Sequence, residues 1–125
     1  MQRINSPRTD DEGIEQLIKA KGKVAPRVTP QDIEDNIIGE YYFTASQGLA
    51  GSQYRIHDAN DNGPLALLTF CVLTLRNGYT VHGSSACASP ENFDAQIGKT
   101  IARQNAVQEI WPLMGYALKE QLSQN

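Results

Sequence analysis

Two cysteines, two histidines and no Cys-x-x-Cys pair in 125 residues leave no metal-ligand spacing, which argues against a zinc site. Cys71 and Cys87 fall in or beside two strand-like segments. In a reducing cytosol they read as small buried hydrophobes rather than as halves of a disulfide. No apolar run approaches the roughly 20 residues that span a bilayer, and Met1 to Asp11 is too polar for a secretory signal. An excess of positive charge is missing as well. Eleven Lys and Arg against fourteen Asp and Glu give a net charge of -3, and the basic residues are scattered. A general nucleic-acid binder displays a basic patch or stripe instead. A small anionic ligand stays open, because it needs only two or three cations in one pocket. The rest of the composition, 40% hydrophobic and 20% charged, is that of a single ordinary globular domain over residues 1–125.

What the chain does have is an uninterrupted grammar from Leu65 to Trp111. Leu65 to Leu75 is nearly continuously apolar, as in a strand covered on both faces or buried at a subunit contact. Asn77-Gly78 follows, a hairpin signal that fits a type I′ turn. In the second strand Tyr79, Val81 and Gly83 point one way, while Thr80, His82 and Ser84 point the other. Ser89-Pro90 predicts the start of a long helix, with Ser89 as cap and Pro90 at the first position. The fold expected is α+β: a small antiparallel sheet built on the 65–86 hairpin, packed against a long C-terminal helix, with short N-terminal helices.

The N-terminal part is less regular. Residues 1–10 are polar and expected to be flexible. Ile14, Leu17 and Ile18 at helical spacing predict a helix ending near Gly22. Lys19, Lys21, Lys23 and Arg27 then form a loose basic segment, either a solvated face or a source of one cation, Arg27, for a ligand site. Thr29-Pro30-Gln31-Asp32 predicts a second helix start. Glu40 to Ala45 (EYYFTA) extends the row Ile33, Ile37, Tyr41 and is read as a helix extension, with a strand as the alternative. Ser46 to Pro64 is a Gly-, Asp- and Asn-rich connection. Within it Tyr54-Arg55-Ile56-His57 has the pattern of a short strand. Asp58, Asn60, Asp61 and Asn62 lack the frame and closing Glu of a calcium loop, and Asn62-Gly63-Pro64 reads as a turn.

The long helix carries two stripes. Phe93, Ile97, Ile101, Val107, Ile110, Trp111 and Met114 predict the core-facing side. Ala95, Gly98, Ala102 and Ala106 are small, a pattern that lets a second helix, here one from another protomer, approach closely. Pro112 is expected to kink or end the helix.

The stretch from Thr69 to Leu118, with Ser85-Ala86-Cys87, Ser89-Pro90-Glu91-Asn92-Phe93 and Ile101-Ala102-Arg103 as its most specific parts, resembles a family of small tailed-phage proteins. That family includes the Thoeris anti-defence protein one cyclic-nucleotide sponges, and the resemblance covers roughly Val28 to Leu118. It implies a homo-oligomer, a dimer up to a hexamer, in the cytoplasm of the infected bacterial host. It also implies sequestration, without chemistry or cofactor, of the cyclic ADP-ribose isomers made by TIR enzymes, and in some members of the cyclic oligonucleotides of CBASS.

On that implication the ligand-binding candidates are Tyr79, His82, Ser84, Asn92 and Arg103, with Arg76 and Arg27. The polar face of Thr80, His82 and Ser84, with Arg76 at the turn, offers a wall for a nucleotide; its plainer reading is a solvated strand face. Tyr79 or Phe93 suits stacking on a base, and Phe93 suits the core equally. Free amides near Glu91 and Asn92, helped by Ser84, Ser85 and Ser89, suit a phosphate, although Glu91 opposes an anion there. Arg103 lies too far along the helix to share that end and is expected to complete a pocket of a neighbouring subunit, its guanidinium fork matching a pyrophosphate. Two other functions remain open. One is a nucleotide-cleaving enzyme using His57 or His82 with Asp58 or Asp61, against which stands the lack of a nucleophile elbow or phosphate-binding loop. The other is a phage protein that blocks a host protein through an exposed apolar patch.

Overall fold

A computed structural model describes residues 10–52 and 63–124. The segment Tyr54 to His57, the acidic stretch Asp58 to Asn62, and residues 1–9 lie outside the described residues. Helix α1 (Asp11–Ala20) starts where the Asp10 carboxylate accepts the Gly13 N–H at 2.7 Å, and it ends at Gly22, which takes a positive φ of 69°. Helix α2 (Pro30–Asp35) is opened by a reciprocal capping box between Thr29 and Asp32, as the sequence predicts.

The helix then stops at Asn36, and the segment read as its extension is strand β1 (Ile37–Thr44). The i, i+4 row from Ile33 to Tyr41 was outweighed by a dense run of β-branched and aromatic residues that fit a pleated surface. Pairing with a neighbouring strand fixes the outcome. Thr44 closes β1 and caps α3 (Ala45–Ala50) through a second capping box with Gln47.

The long apolar run divides in two. Pro64–Leu67 forms one 3₁₀ turn, with Pro64 at a position where its missing N–H costs nothing, and strand β2 (Leu68–Leu75) follows. Strand β3 (Thr80–Ala86) returns antiparallel, giving the sheet order β1-β2-β3. The hairpin at Asn77-Gly78 exists, but its turn is not type I′. Only Gly78 has a positive φ (91°). Gly78 N–H donates to Leu75 O at 2.9 Å, and the Asn77 carboxamide oxygen accepts the Tyr79 N–H at 2.9 Å. The connection is therefore the three-residue form with a glycine bulge, which leaves Asn77 free of a left-handed conformation.

Helix α4 (Ala95–Ser123) begins later than Ser89-Pro90 suggests. Those residues open only a 3₁₀ turn, Pro90–Asn92, with no side-chain cap. The cap of α4 is Asp94, whose Oδ1 accepts the N–H groups of Gln96 (2.9 Å) and Ile97 (3.1 Å). Pro112 does not end the helix, which runs on to Ser123 with Pro112 exposed; without an N–H it cannot donate to the carbonyl four residues back.

Helix and sheet meet through the small stripe. Gly98, Ala102 and Ala106 are buried with Val107 and Ile110, whereas Phe93, Ile97, Ile101, Trp111 and Met114 flank the contact half-buried and Ala95 is exposed. The residues expected to await another protomer's helix are thus the seat of α4 on its own sheet. Gly83 makes the approach possible: a Cβ there would stand 2.7 Å from the Asn105 carbonyl carbon and closer still to Ala106 N and Ala102 O. Ile33, Leu73 and Ile110 are fully buried, each worth roughly 1.5–3 kcal/mol over exposure, so α2, β2 and α4 share one core. Burial alternates strictly along β2: one face carries the core, and among the described residues the other is half-buried. The other face carries Tyr41, Phe43, Phe70 and Val72 beside Thr80, His82 and Ser84. The Phe43 and Phe70 rings lie 5.6 Å apart.

Candidate functional site

Two of the concavities beside α4 hold candidate ligand-binding residues. The smaller, of about 330 Å³, opens where β3 runs out and α4 begins; Ser85, Cys87, Asn92, Phe93, Asp94 and Ile97 are among its lining residues. Among the described residues that line it, Asp94 is the one ionisable carboxylate and there is no Lys or Arg. Its polar character comes from the Ser85 hydroxyl, the Asn92 carboxamide and the Cys87 thiol, the last donating to Ser89 O at 3.2 Å. Such a cavity suits an uncharged, planar, hydrogen-bonding group better than an anion. The larger concavity, about 990 Å³ and open, lies between α1, α2, β1 and α4. Asp10, Asp11, Glu12, Glu34 and Glu40 face it against Lys99 and Arg103, so its field is negative.

The helix start does not offer amides to a phosphate. Asn92 N–H donates to Ser89 O (3.1 Å), Phe93 N–H to Pro90 O (3.2 Å), and the first amides of α4 are held by Asp94. The Ser89 hydroxyl donates to Glu91 Oε1 at 2.6 Å, which keeps that carboxyl below its ordinary range and so negative. An anion there would meet both carboxylates.

The seven candidate residues do not converge on one point of the chain. Thr80, His82 and Ser84 share the open sheet face as expected, with His82 opposite Val72 and Ser84 opposite Phe70. Tyr79 stands at the hairpin end, 58% exposed. Asn92 lines the smaller cavity, a different region from Arg103 in the larger one. Arg76 clamps the hairpin to the end of α2, its Nε donating to Asp35 O at 2.8 Å and its N–H to Asn36. Arg27 pairs with the buried Glu15.

Arg103 is already engaged by a double partner. Its Nη1 and Nη2 bond both oxygens of Glu34 (3.0 and 2.8 Å), and its Nε bonds Glu40 at 3.1 Å. The hydrogen bonds it donates to Glu34 push its pKa up, so it stays charged. This cluster ties α4 to α2 and β1. Sequence reasoning missed it because β1 was read as helix; as a strand, Glu40 and Tyr42 fall on the face toward α4, and Glu40 reaches Arg103. Tyr42 donates to Glu40 at 2.9 Å. Burial first, then that hydrogen bond, raise its phenol well above the ordinary range. Among the described residues no three His, Cys, Asp or Glu side chains are placed to hold a metal ion.

Residues 28–122 match the Phage protein (N4 Gp49/phage Sf6 gene 66) family. The chain belongs to this phage protein family. No curated protein and no solved structure matches it. The phage-family domain takes in α2, the whole sheet and nearly all of α4, hence also the smaller cavity; α1 precedes it. Among the described residues no helix is long and apolar enough to cross a membrane.

Proposed function

We propose that this phage-family protein is an anti-defence sponge: it binds cyclic nucleotide immune signals, cyclic ADP-ribose isomers or the cyclic oligonucleotides of CBASS, in the infected host's cytoplasm and withholds them without degrading them. One coincidence carries the reading. The segment on which the resemblance to the sponge family is most specific, Ser85 to Cys87 and Ser89 to Phe93, supplies Ser85, Cys87, Asn92 and Phe93 to the smaller cavity. A cavity of about 330 Å³ is of a size for part of such a ligand. Asn92 and Ser85 hydrogen-bond it there while Phe93 provides apolar contact.

The phosphates need cations, and among the described residues none lines this cavity. In this proposal they are met by a second copy in a homo-oligomer, so ligand capture and assembly depend on each other. Sequestration asks for tight binding alone; nanomolar affinity is roughly -12 kcal/mol, and an interface between copies supplies the buried area. Cleavage of the nucleotide is the weaker reading, because His82 stands on an exposed strand face opposite a valine. One observation favours direct blockage of a host protein: the open face of the sheet leaves Tyr41 58% and Phe43 38% exposed.

The test is to incubate the purified full chain with cyclic ADP-ribose isomers and cyclic oligonucleotides, filter off unbound material, heat the protein, and weigh what is released. Intact ligand released only on heating, and its loss in Asn92→Ala, is the expected result. Material of altered mass refutes the sponge in favour of an enzyme, and nothing retained refutes it in favour of a protein partner.

A further inference from the structure

Helix α1 lies ahead of the residues matched to the phage family, yet it is seated on them. It presents Asp11, Ile14, Glu15 and Ile18 to a groove whose far wall is Val28, Pro30, Gln108 and Trp111. That spacing, i, i+3, i+4, i+7, is how an amphipathic helix fills a groove on another surface. The fit is loose. About 220 Å³ stays open between helix and wall, Ile14 is 47% and Leu17 54% exposed, and the most buried side chain of α1 is a glutamate. Its fastenings are polar. Trp111 Nε1 donates to Asp11 Oδ2 at 3.0 Å, Gln108 Nε2 donates to the same carboxylate, and Arg27 pairs with Glu15. Arg27 Nε is buried with no partner among the described residues and gains water if Glu15 leaves, which lowers the cost of parting. The connection after α1 is exposed and turns on Gly22.

We propose that this groove is a docking site for an amphipathic helix, that α1 is its occupant in cis, and that α1 leaves and returns as a unit while the domain stays folded. A ten-residue helix is too short to persist alone in water, so release unravels it and return refolds it on the groove. Because Asp11, Ile14 and Gln108 also line the 990 Å³ concavity, release opens both.

Trp111 is the chain's only tryptophan, so its fluorescence reports the groove. Acrylamide quenching is compared between the full chain and its Asp11→Ala/Glu15→Ala variant, with a synthetic peptide of residues 10–22 added to each and amide exchange in β2 as the fold control. The variant is expected to be quenched more, and the peptide to restore shielding. In the wild type, where a helix tethered at roughly millimolar effective concentration already fills the groove, the same peptide concentrations should leave quenching unchanged. Equal quenching with β2 protected, or a peptide that fails to restore shielding, overturns the proposal. Should the double variant lose β2 protection, Ile14→Asp, at a half-exposed position, is read in the same way.

Discussion

Gly83→Ala is the sharpest test of how this fold is assembled. The added methyl meets backbone of α4, 2.7 Å from the Asn105 carbonyl carbon and nearer to Ala106 N and Ala102 O, and none of these atoms can rotate away. To restore ordinary contact the helix must lift by about 1 Å, and gaps of 0.5–1 Å already forfeit a quarter to a half of each dispersion contact. The affected contacts include Cys71, Leu73, Val81, Ala102 and Ala106, all within the core. Overpacking costs about 1–3 kcal/mol when side chains can adjust; with backbone on one side the loss should reach at least about 3 kcal/mol. At roughly 4 °C per kcal/mol for a domain of this size, Tm should fall by about 12 °C or more. Gly98→Ala is the matched control. Its methyl would meet the Thr69 hydroxyl at 3.1 Å, a group that can turn, and helix propensity gains up to about 1 kcal/mol. Thermal melts followed by circular dichroism decide the matter. If Gly83→Ala melts within about 2 °C of wild type, α4 does not rest on β3 at this point.

Three further outcomes are expected. Asp94→Ala removes the cap of α4 and should cost about 0.5–2 kcal/mol in urea denaturation, whereas Ser89→Ala, which caps nothing, should be near neutral; the reverse order would place the helix start at Pro90 after all. Arg103→Ala should destabilise by about 1 kcal/mol, because its ion pairs are partly exposed at 27% for Arg103, 47% for Glu34 and 38% for Glu40. A double-mutant cycle with Glu34→Gln that returns no coupling would refute the tie between α4 and α2. Alkaline pH should weaken the fold. Burial holds the Cys71 thiol above its usual range, and burial together with donation to Glu40 does the same for Tyr42. Both groups keep their protons longer folded than unfolded. The stability they contribute is therefore intact below the unfolded values, about 8.5 for Cys and 10 for Tyr, and is lost as pH climbs toward the raised folded values. Urea midpoints across that window should decline, less so in Cys71→Ala; a flat profile would contradict the burial of both groups.

Capping chemistry was legible in the sequence because it is local: Thr29 with Asp32, Gly22 as a helix stop and the Asn77-Gly78 hairpin are each settled within a few residues. Three features were not. β1 satisfied a helical spacing and a strand composition at once, and pairing with β2, thirty residues away, chose between them. Ser89-Pro90 and Asp94 are both good helix openers, and only where β3 delivers the chain selects the second. Of the large apolar residues of α4 that suggested the core face, Val107 and Ile110 are buried there and Trp111 and Met114 pack against it, yet the sheet also needed backbone contact at Gly83, which the small residues Ala102 and Ala106 allow. The same reversal hid Arg103, whose partners Glu34 and Glu40 come from α2 and from the strand taken for a helix. At the level of the site, the sequence placed Asn92 and Phe93 near the β3-to-α4 junction. It could not foresee that their amides would be spent on the 3₁₀ turn.

Asp94 serves two structures at once. One of its oxygens pins the first amides of α4, and the same side chain forms part of the wall of the smaller cavity. Whatever settles in that cavity and draws on the carboxylate therefore bargains with the end of the longest helix in the chain. Occupancy is then written into amide exchange at Gln96 and Ile97, giving a ligand that has no colour, fluorescence or enzymatic turnover a reporter inside the backbone itself.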